Sequence, residues 1–208
     1  MIFPASGAIL AARKPATTSP SVPIGSSVPR VLLYVIENKS GLESLRRNVT
    51  NMDIVAPQTY SASPDGTLSG KPNKEVLALA ANAGASVMPL VFNKNFSQDG
   101  IHNFLSNPNA QSKLLLALVS EAREKRYMGY QYDFEHIDAN DRDLYTAFVK
   151  RSADIFHGAG LQLSVAVGPQ HSDKLSEYAK GSWDNWTGAF DYKAIGEYAD
   201  FVSIMAYD

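Results

Sequence analysis

From residue 31 onward, apolar runs of strand length alternate with stretches that are apolar on one face only. Residues 31–36, 54–60, 87–92, 127–135, 161–167 and 201–207 are short and rich in β-branched and aromatic side chains, and they read as strands. Between them, apolar positions recur at helical spacing. Residues 42–49 put Leu42 and Leu45 on one side. Residues 73–83 do the same with Val76, Leu77, Leu79 and Ala80, and Gly84 is a stop. The strongest helix signal is 111–125, carried by Leu114, Leu115, Leu118 and Ala122. Residues 141–157 follow, with Leu144, Ala147, Phe148 and Ile155 expected inward, and a short helical piece covers 195–198. Ser63-Pro-Asp-Gly66 has turn composition. This alternation predicts an α/β fold with a parallel sheet, either closed as a (β/α)8 TIM barrel or open and doubly wound. The strands are apolar on both faces, as expected where helices cover a parallel sheet. No Gly-rich phosphate loop follows the first strand, which weakens the open nucleotide-binding alternative.

Residues 1–30 break the pattern. Residues 2–12 are a short apolar stretch, and 13–29 are rich in Pro, Ser and Thr. The first stretch is expected to be an export-like segment or simply a floppy N-terminus; the second is a linker either way, because such composition cannot offset ordering entropy by burial. Residues 31–208 are then the folded domain. Charge changes the picture only by exclusion: 19 Lys and Arg against 21 Asp and Glu leave −2, no footprint for nucleic acid. No apolar run reaches the length of a membrane span. The absence of Cys removes disulfides and thiolate chemistry. His102, His157 and His171 have no metal-ligand spacing with carboxylates, so neither metal nor cofactor is expected.

The chemistry concentrates in Gly129-Tyr-Gln-Tyr-Asp-Phe-Glu135. Strand side chains alternate between faces, so Gln131, Asp133 and Glu135 share one and Tyr130, Tyr132 and Phe134 the other. Aromatics facing helices leave the polar groups facing the interior. Burying two carboxyls and an amide costs several kcal/mol unless they bond each other or a ligand. Two interacting carboxyls cannot both ionise cheaply, so one is expected to titrate high and act as an acid near neutrality. Glu135 lies at the C-terminal end of the strand, where barrel active sites form. A second candidate is Met205-Ala-Tyr-Asp208 at the end of the sixth strand. Its thioether, phenol and carboxylate suit a sugar ring with hydroxyl and acetamide groups.

Together these motifs resemble glycoside hydrolase family 18, the chitinases and related N-acetylglucosaminidases. That family carries D-G-x-D-x-D-x-E on the fourth barrel strand and M-x-Y-D on the sixth. The first motif here reads Met128-Gly-Tyr-Gln-Tyr-Asp-Phe-Glu135, with Met128 and Gln131 in place of two Asp residues. The second matches fully. Pro57-Gln-Thr-Tyr60 followed by Asp65-Gly-Thr-Leu68 is similar to the bacterial branch acting on spore cortex and peptidoglycan. The family's Ser-x-Gly-Gly on the third strand is replaced by Pro89-Leu-Val-Phe92. The resemblance implies retaining, substrate-assisted hydrolysis of β-1,4-linked N-acetylglucosamine polymers, chitin or peptidoglycan-type glycan. Glu135 would be general acid and base, Asp133 would hold the acetamide N–H, and Tyr207 would donate to the acetamide oxygen. Gln131, Met205 and Asp208 would line the sugar subsite. A non-catalytic, lectin-like sugar-binding member of the same fold is the alternative; the retained Glu135 and Asp133 argue against it. The implied location is secreted or at the cell envelope, with contact to the cell wall.

Other residues carry weaker signals. Trp183 and Trp186 follow the fifth strand and could stack on sugars or simply pack a loop. Gln58 and Tyr60, at the end of the second strand, could line the cleft or belong to the core. His136 reads as a surface or capping residue beside Glu135. Asn38, Asn48, Asn95 and Asn185 lie in N-x-S/T patterns that matter only in a glycosylating host. Glu43, Arg46 and Arg47 read as a solvated helix face. Finally, 31–208 supply about six βα units where a barrel typically takes about 250 residues. The expectation is therefore a catalytic domain incomplete at its C-terminus, lacking strands seven and eight.

Overall fold

The computed structural model describes residues 30–172 and 174–207. The export-like segment and nearly all of the linker, as well as Asp208, lie outside the described residues. Nine strands and six α-helices alternate. The strands are β1 (Leu32–Val35), β2 (Ile54–Pro57), β3 (Tyr60–Ala62), β4 (Leu68–Ser69), β5 (Ser86–Val87), β6 (Leu90–Asn93), β7 (Gly129–Asp133), β8 (Gln162–Val167) and β9 (Phe201–Ile204). The helices are α1 (Lys39–Asn48), α2 (Lys74–Ala83), α3 (Gln98–Leu105), α4 (Pro108–Lys125), α5 (Arg142–Gly158) and α6 (Tyr192–Tyr198).

β1 pairs with β2 and β2 with β5, while β3, β6, β7, β8 and β9 follow one another; all these pairings are parallel. Only the short β4 runs antiparallel, folding back on β3 through the expected turn, where Gly66 N–H donates to Ser63 C=O. The second and third expected strands are each interrupted, at Gln58–Thr59 and at Met88–Pro89. Proline explains part of this, since neither Pro57 nor Pro89 can donate to a ladder. The wall nonetheless continues across the breaks. Gln58 N–H donates to Val35 C=O, Met88 N–H to Val55 C=O and Gln131 N–H to Pro89 C=O. At its two ends, β1 and β9 each have one strand neighbour among the described residues. Apolar side chains are exposed along both: Val31 and Ile36 at β1, Ile204 and Tyr207 at β9.

Helix boundaries follow local chemistry. Asn38, Asn73, Asn107 and Asp191 cap α1, α2, α4 and α6 by accepting backbone N–H groups. Gly84 ends α2 in the left-handed conformation. Residues 98–105 give no clear apolar stripe, yet they form α3, capped by Ser97, with Ile101, Phe104 and Leu105 buried. The inward face of α5 is also rotated from expectation. Tyr145, Phe148, Val149, Ser152, Ala153 and Phe156 are buried, while Leu144 and Ala147 are exposed. Aromatic bulk decides this, because the outer face of β7 offers rings to stack on.

Most of the core lies between the wall and its helices. One cluster joins β3 and β6 to β8 with α3, α4 and α5; a smaller one joins β1 and β2 to α1 and α2 through Val35, Leu45, Val55 and Val76. Close approach explains one glycine: a Cβ at Gly129 would lie 1.9 Å from Gln162 C=O, so only Gly lets β7 start against β8. The solvated face assigned to α1 holds an Arg46–Glu75 ion pair across to α2.

Candidate functional site

The site is built on β7. Tyr130, Tyr132 and Phe134 face outward into the helix layer, as alternation predicts. Tyr130 Oη donates to Leu118 C=O (2.9 Å) and Tyr132 Oη to Ser152 Oγ (3.0 Å). Phe134 stacks on Tyr132 (5.1 Å between centroids) and packs edge-on against Phe104. Gln131 and Asp133 face the interior. Gln131 Nε2 donates to Ser164 Oγ (2.9 Å) on β8, while its Oε1 has no hydrogen-bond partner. A buried amide oxygen without a partner is costly and marks a place where polarity is kept for some other reason.

Asp133 ends the strand. It is 7% exposed and opens onto a cavity of about 280 Å3. The cavity also takes in Tyr34 on β1, Gln58, Leu90 on β6, Met205 and Tyr207. Burial pushes the Asp133 carboxyl up to about 6. The expected acid near neutrality is thus present, but desolvation rather than a neighbouring carboxyl raises it. Tyr34 is a further inward group the sequence did not single out. Its phenol lies against Ser203 and Gln131, and burial raises its pKa.

Glu135 is not on the strand. The chain leaves β7 after Asp133, and Glu135 sits half-buried two residues beyond it. Its backbone is held by Asn93 at the end of β6: Glu135 N–H donates to Asn93 Oδ1 (2.9 Å), and Asn93 Nδ2 donates to Glu135 C=O (3.0 Å). His136 then turns left-handed, with φ +54°. A non-glycine residue there is uncommon, and such outliers cluster at functional sites.

The remaining candidates divide. Gln58, Met205 and Tyr207 share the cavity with Asp133. Met205 is 8% exposed and is tied to β8 by its N–H on Val167 C=O. Tyr60 is a correction: it faces outward, away from the cleft. Its hydroxyl donates to Glu121 and meets Tyr127 at 3.0 Å within the helix-side core. The break at 58–59 separates it from Gln58 and resets which face each occupies. Trp183 and Trp186 occupy one wide helical turn, Trp183–Thr187, and neither lines the 280 Å3 cavity. Trp186 lies over Gly168, where a Cβ would come within 3.1 Å of its Nε1, and 5.6 Å from the His136 ring. Trp183 packs against Tyr178. Asp208 lies outside the described residues. Among the described residues no group of carboxylates and histidines is arranged to hold a metal, and no helix is long and apolar enough to cross a membrane. Sequence reasoning missed Asn93. A polar residue directly ending an apolar strand run was the available signal, since that position falls on the face where barrel sites assemble.

The family model for glycosyl hydrolases family 18 matches residues 47–208. The chain belongs to that family. Its fold is accordingly that of a (β/α)8 TIM barrel, with the wall described above contributing six parallel strand positions. Among curated relatives, the cortical fragment-lytic enzyme of Bacillus subtilis (strain 168) is 29% identical over 153 residues, which is 72% of this chain and 34% of that protein. Among solved structures, the spore cortex-lytic enzyme SleL of Bacillus megaterium QM B1551 is 28% identical with a TM-score of 0.77, over 86% of this chain and 42% of that one. A chitinase from Chromobacterium violaceum ATCC 12472 is 26% identical with a TM-score of 0.75, over 87% and 56%. This family 18 chain therefore spans between a third and about half of the proteins it matches.

Proposed function

We propose that this family 18 chain carries the acid–base part of a glycosidase acting on β-1,4-linked polymers containing N-acetylglucosamine. One observation carries the reading: Asp133 is buried on the inner wall, titrates near 6, and shares a cavity with Met205 and Tyr207, two residues before Glu135. A carboxyl kept in a dry, concave, mostly apolar site is what proton chemistry on a sugar requires. Family 18 departs from the two-carboxylate scheme in using the substrate's own acetamide group as nucleophile. In that scheme Glu135 protonates the leaving oxygen and later activates water. Above about pH 6 Asp133 is ionised, and its carboxylate is suited to accept the acetamide N–H and to favour the positive charge that develops on the ring. Tyr207, which lines the cavity, would donate to the acetamide oxygen. Gln131 has no exchangeable carboxyl proton; its amide ties to Ser164 instead. Its replacement of the family's Asp is therefore expected to alter the acidic limb of the rate profile.

The names of the relatives favour spore-cortex glycan over chitin as substrate, and with it a place at the cell envelope. The test compares chromogenic chito-oligosaccharides with cortex peptidoglycan, using wild type and Glu135→Gln. Removing the general acid should lower turnover roughly 10²–10⁴-fold while oligosaccharide binding persists. Undiminished turnover in Glu135→Gln overturns the assignment. Sugar binding with no turnover in the wild type would make the chain a binding module on the same fold.

A further inference from the structure

We infer that Asn93 is the positioning residue of the site: its side-chain amide acts as a substitute strand partner that fixes where Glu135 stands. The inference rests on the role proposed above for Glu135.

The ladder between β6 and β7 ends at the Phe92–Asp133 pair. Beyond it, Asn93 still pairs with Ala62 of β3 as the last residue of β6, while the β7 chain leaves the sheet. Asn95, Phe96 and His136 all adopt positive φ, at +59°, +49° and +54°, and these are three of the four non-glycine residues that do so among the described residues. Two loops with unfavourable backbone geometry therefore begin immediately outside the ladder, and Glu135 lies at the root of one of them. A residue so placed would ordinarily have its N–H and C=O satisfied by water and its position set by a loop. Here both groups are bonded by a single side chain, at 2.9 and 3.0 Å, and that side chain is 3% exposed. A primary amide presents its carbonyl oxygen and an N–H side by side, so one edge of it can accept from the N–H and donate to the C=O of a single residue. Aspartate can accept but not donate at neutral pH, leucine of similar volume can do neither, and glutamine reaches one carbon too far.

The consequence is positional. Proton transfer to a glycosidic oxygen depends on the acid being held at the reacting atom, and a displacement of about 1 Å can cost about 10²-fold in rate. Asn93 touches neither the cavity around Asp133 nor, on this reading, the substrate. It acts through the Glu135 backbone.

The experiment compares Asn93→Leu, Asn93→Asp and Glu135→Gln in the full chain, with whichever of the two glycans the wild type hydrolyses. Three readings are taken: kcat and KM, the pH profile, and hydrogen exchange of the Glu135 amide followed by NMR. In Asn93→Leu, kcat should fall roughly 10–100-fold with KM changed less than about threefold. The Glu135 amide should lose protection while amides within β7 and β8 keep theirs. In Asn93→Asp, which keeps the acceptor and adds a negative charge near Glu135, the loss should be smaller and the alkaline limb should move up by about half a pH unit or more. A purely structural residue would lower the melting temperature without moving that limb. Wild-type kcat in a folded Asn93→Leu, or a Glu135 amide that stays protected in it, overturns the inference. Should Asn93→Leu fail to fold, Asn93→Asp decides: an unmoved alkaline limb with wild-type kcat overturns it. Absence of turnover in the wild type overturns the glycosidase reading itself, a failure distinct from an active wild type indifferent to position 93.

Discussion

The two faces of β7 differ in how they treat buried polarity. On the outer face, each strand phenol within reach of a helix bonds it: Tyr130 to Leu118 C=O and Tyr132 to Ser152. Around them lies a layer of packed rings, with Tyr132 against Phe134, Phe148 and Phe156, and Phe134 stacked on Phe148. On the inner face, Gln131 keeps an unbonded amide oxygen and Asp133 a carboxyl whose proton is hard to remove. All four side chains Tyr130–Asp133 are buried. The difference is therefore not exposure but satisfaction. The outer face contributes stability, whereas the inner face gives some of it up to keep polar groups ready beside a cavity. Such a division within one strand is expected where a scaffold carries a site.

Predictions follow from breaking either side. The largest stability effect is expected outside. Phe134→Ala removes a fully buried ring from the stack and should cost about 3–5 kcal/mol, read from denaturant midpoints at constant slope. A cost under about 1 kcal/mol would mean that the aromatic layer is not what anchors β7.

Asp133→Asn is the mirror experiment, and its sign should be opposite. The folded state holds the Asp133 proton up to about pH 6, above the 3.8 ordinary for an aspartate. The folded form thus binds more protons than the unfolded one between about pH 4 and 6, and stability falls as pH rises through that window. The full loss, about 3 kcal/mol by the size of the shift, is present above pH 6. Asn escapes it. The variant should therefore match wild type near pH 4 and exceed it at pH 7 by up to about 3 kcal/mol, while hydrolysis falls roughly 10²-fold. A variant destabilised at pH 7 would place Asp133 with the structural groups.

Tyr132→Phe is the smallest change. It removes one hydroxyl whose partner Ser152 also donates to Phe148 C=O (2.8 Å), so the loss should be about 1 kcal/mol with turnover unchanged. An effect on turnover beyond about twofold would show that the outer face reaches into the site, since kinetics unchanged within that limit is what a purely structural bond allows.

Much of this was legible in the chain. Period-two alternation in Gly129-Tyr-Gln-Tyr-Asp-Phe-Glu135 placed the aromatics outside and Gln131 and Asp133 inside, and Leu114, Leu115, Leu118 and Ala122 were read correctly as the inward stripe of α4. Capping residues and Gly84 set helix ends to within a few positions. The departures share a cause. On α5 the spacing predicts Leu144, Ala147, Phe148 and Ile155 inward; Phe148 is buried, but the aromatic partner surface turns Tyr145 and Phe156 inward and leaves Leu144 and Ala147 exposed. Tyr60, open in the sequence between cleft and core, falls to the core because the interruption between β2 and β3 puts it on the helix side.

Sequence by itself determined the order of the βα units and the family, because both rest on local periodicity and on motifs a few residues long. Only the tertiary structure decided that desolvation raises Asp133, that Glu135 has left the strand, and that Asn93, 42 residues away, holds it. Those properties belong to neighbours in space. An amide at the end of one strand and a backbone beyond the end of the next meet only because β6 and β7 lie side by side.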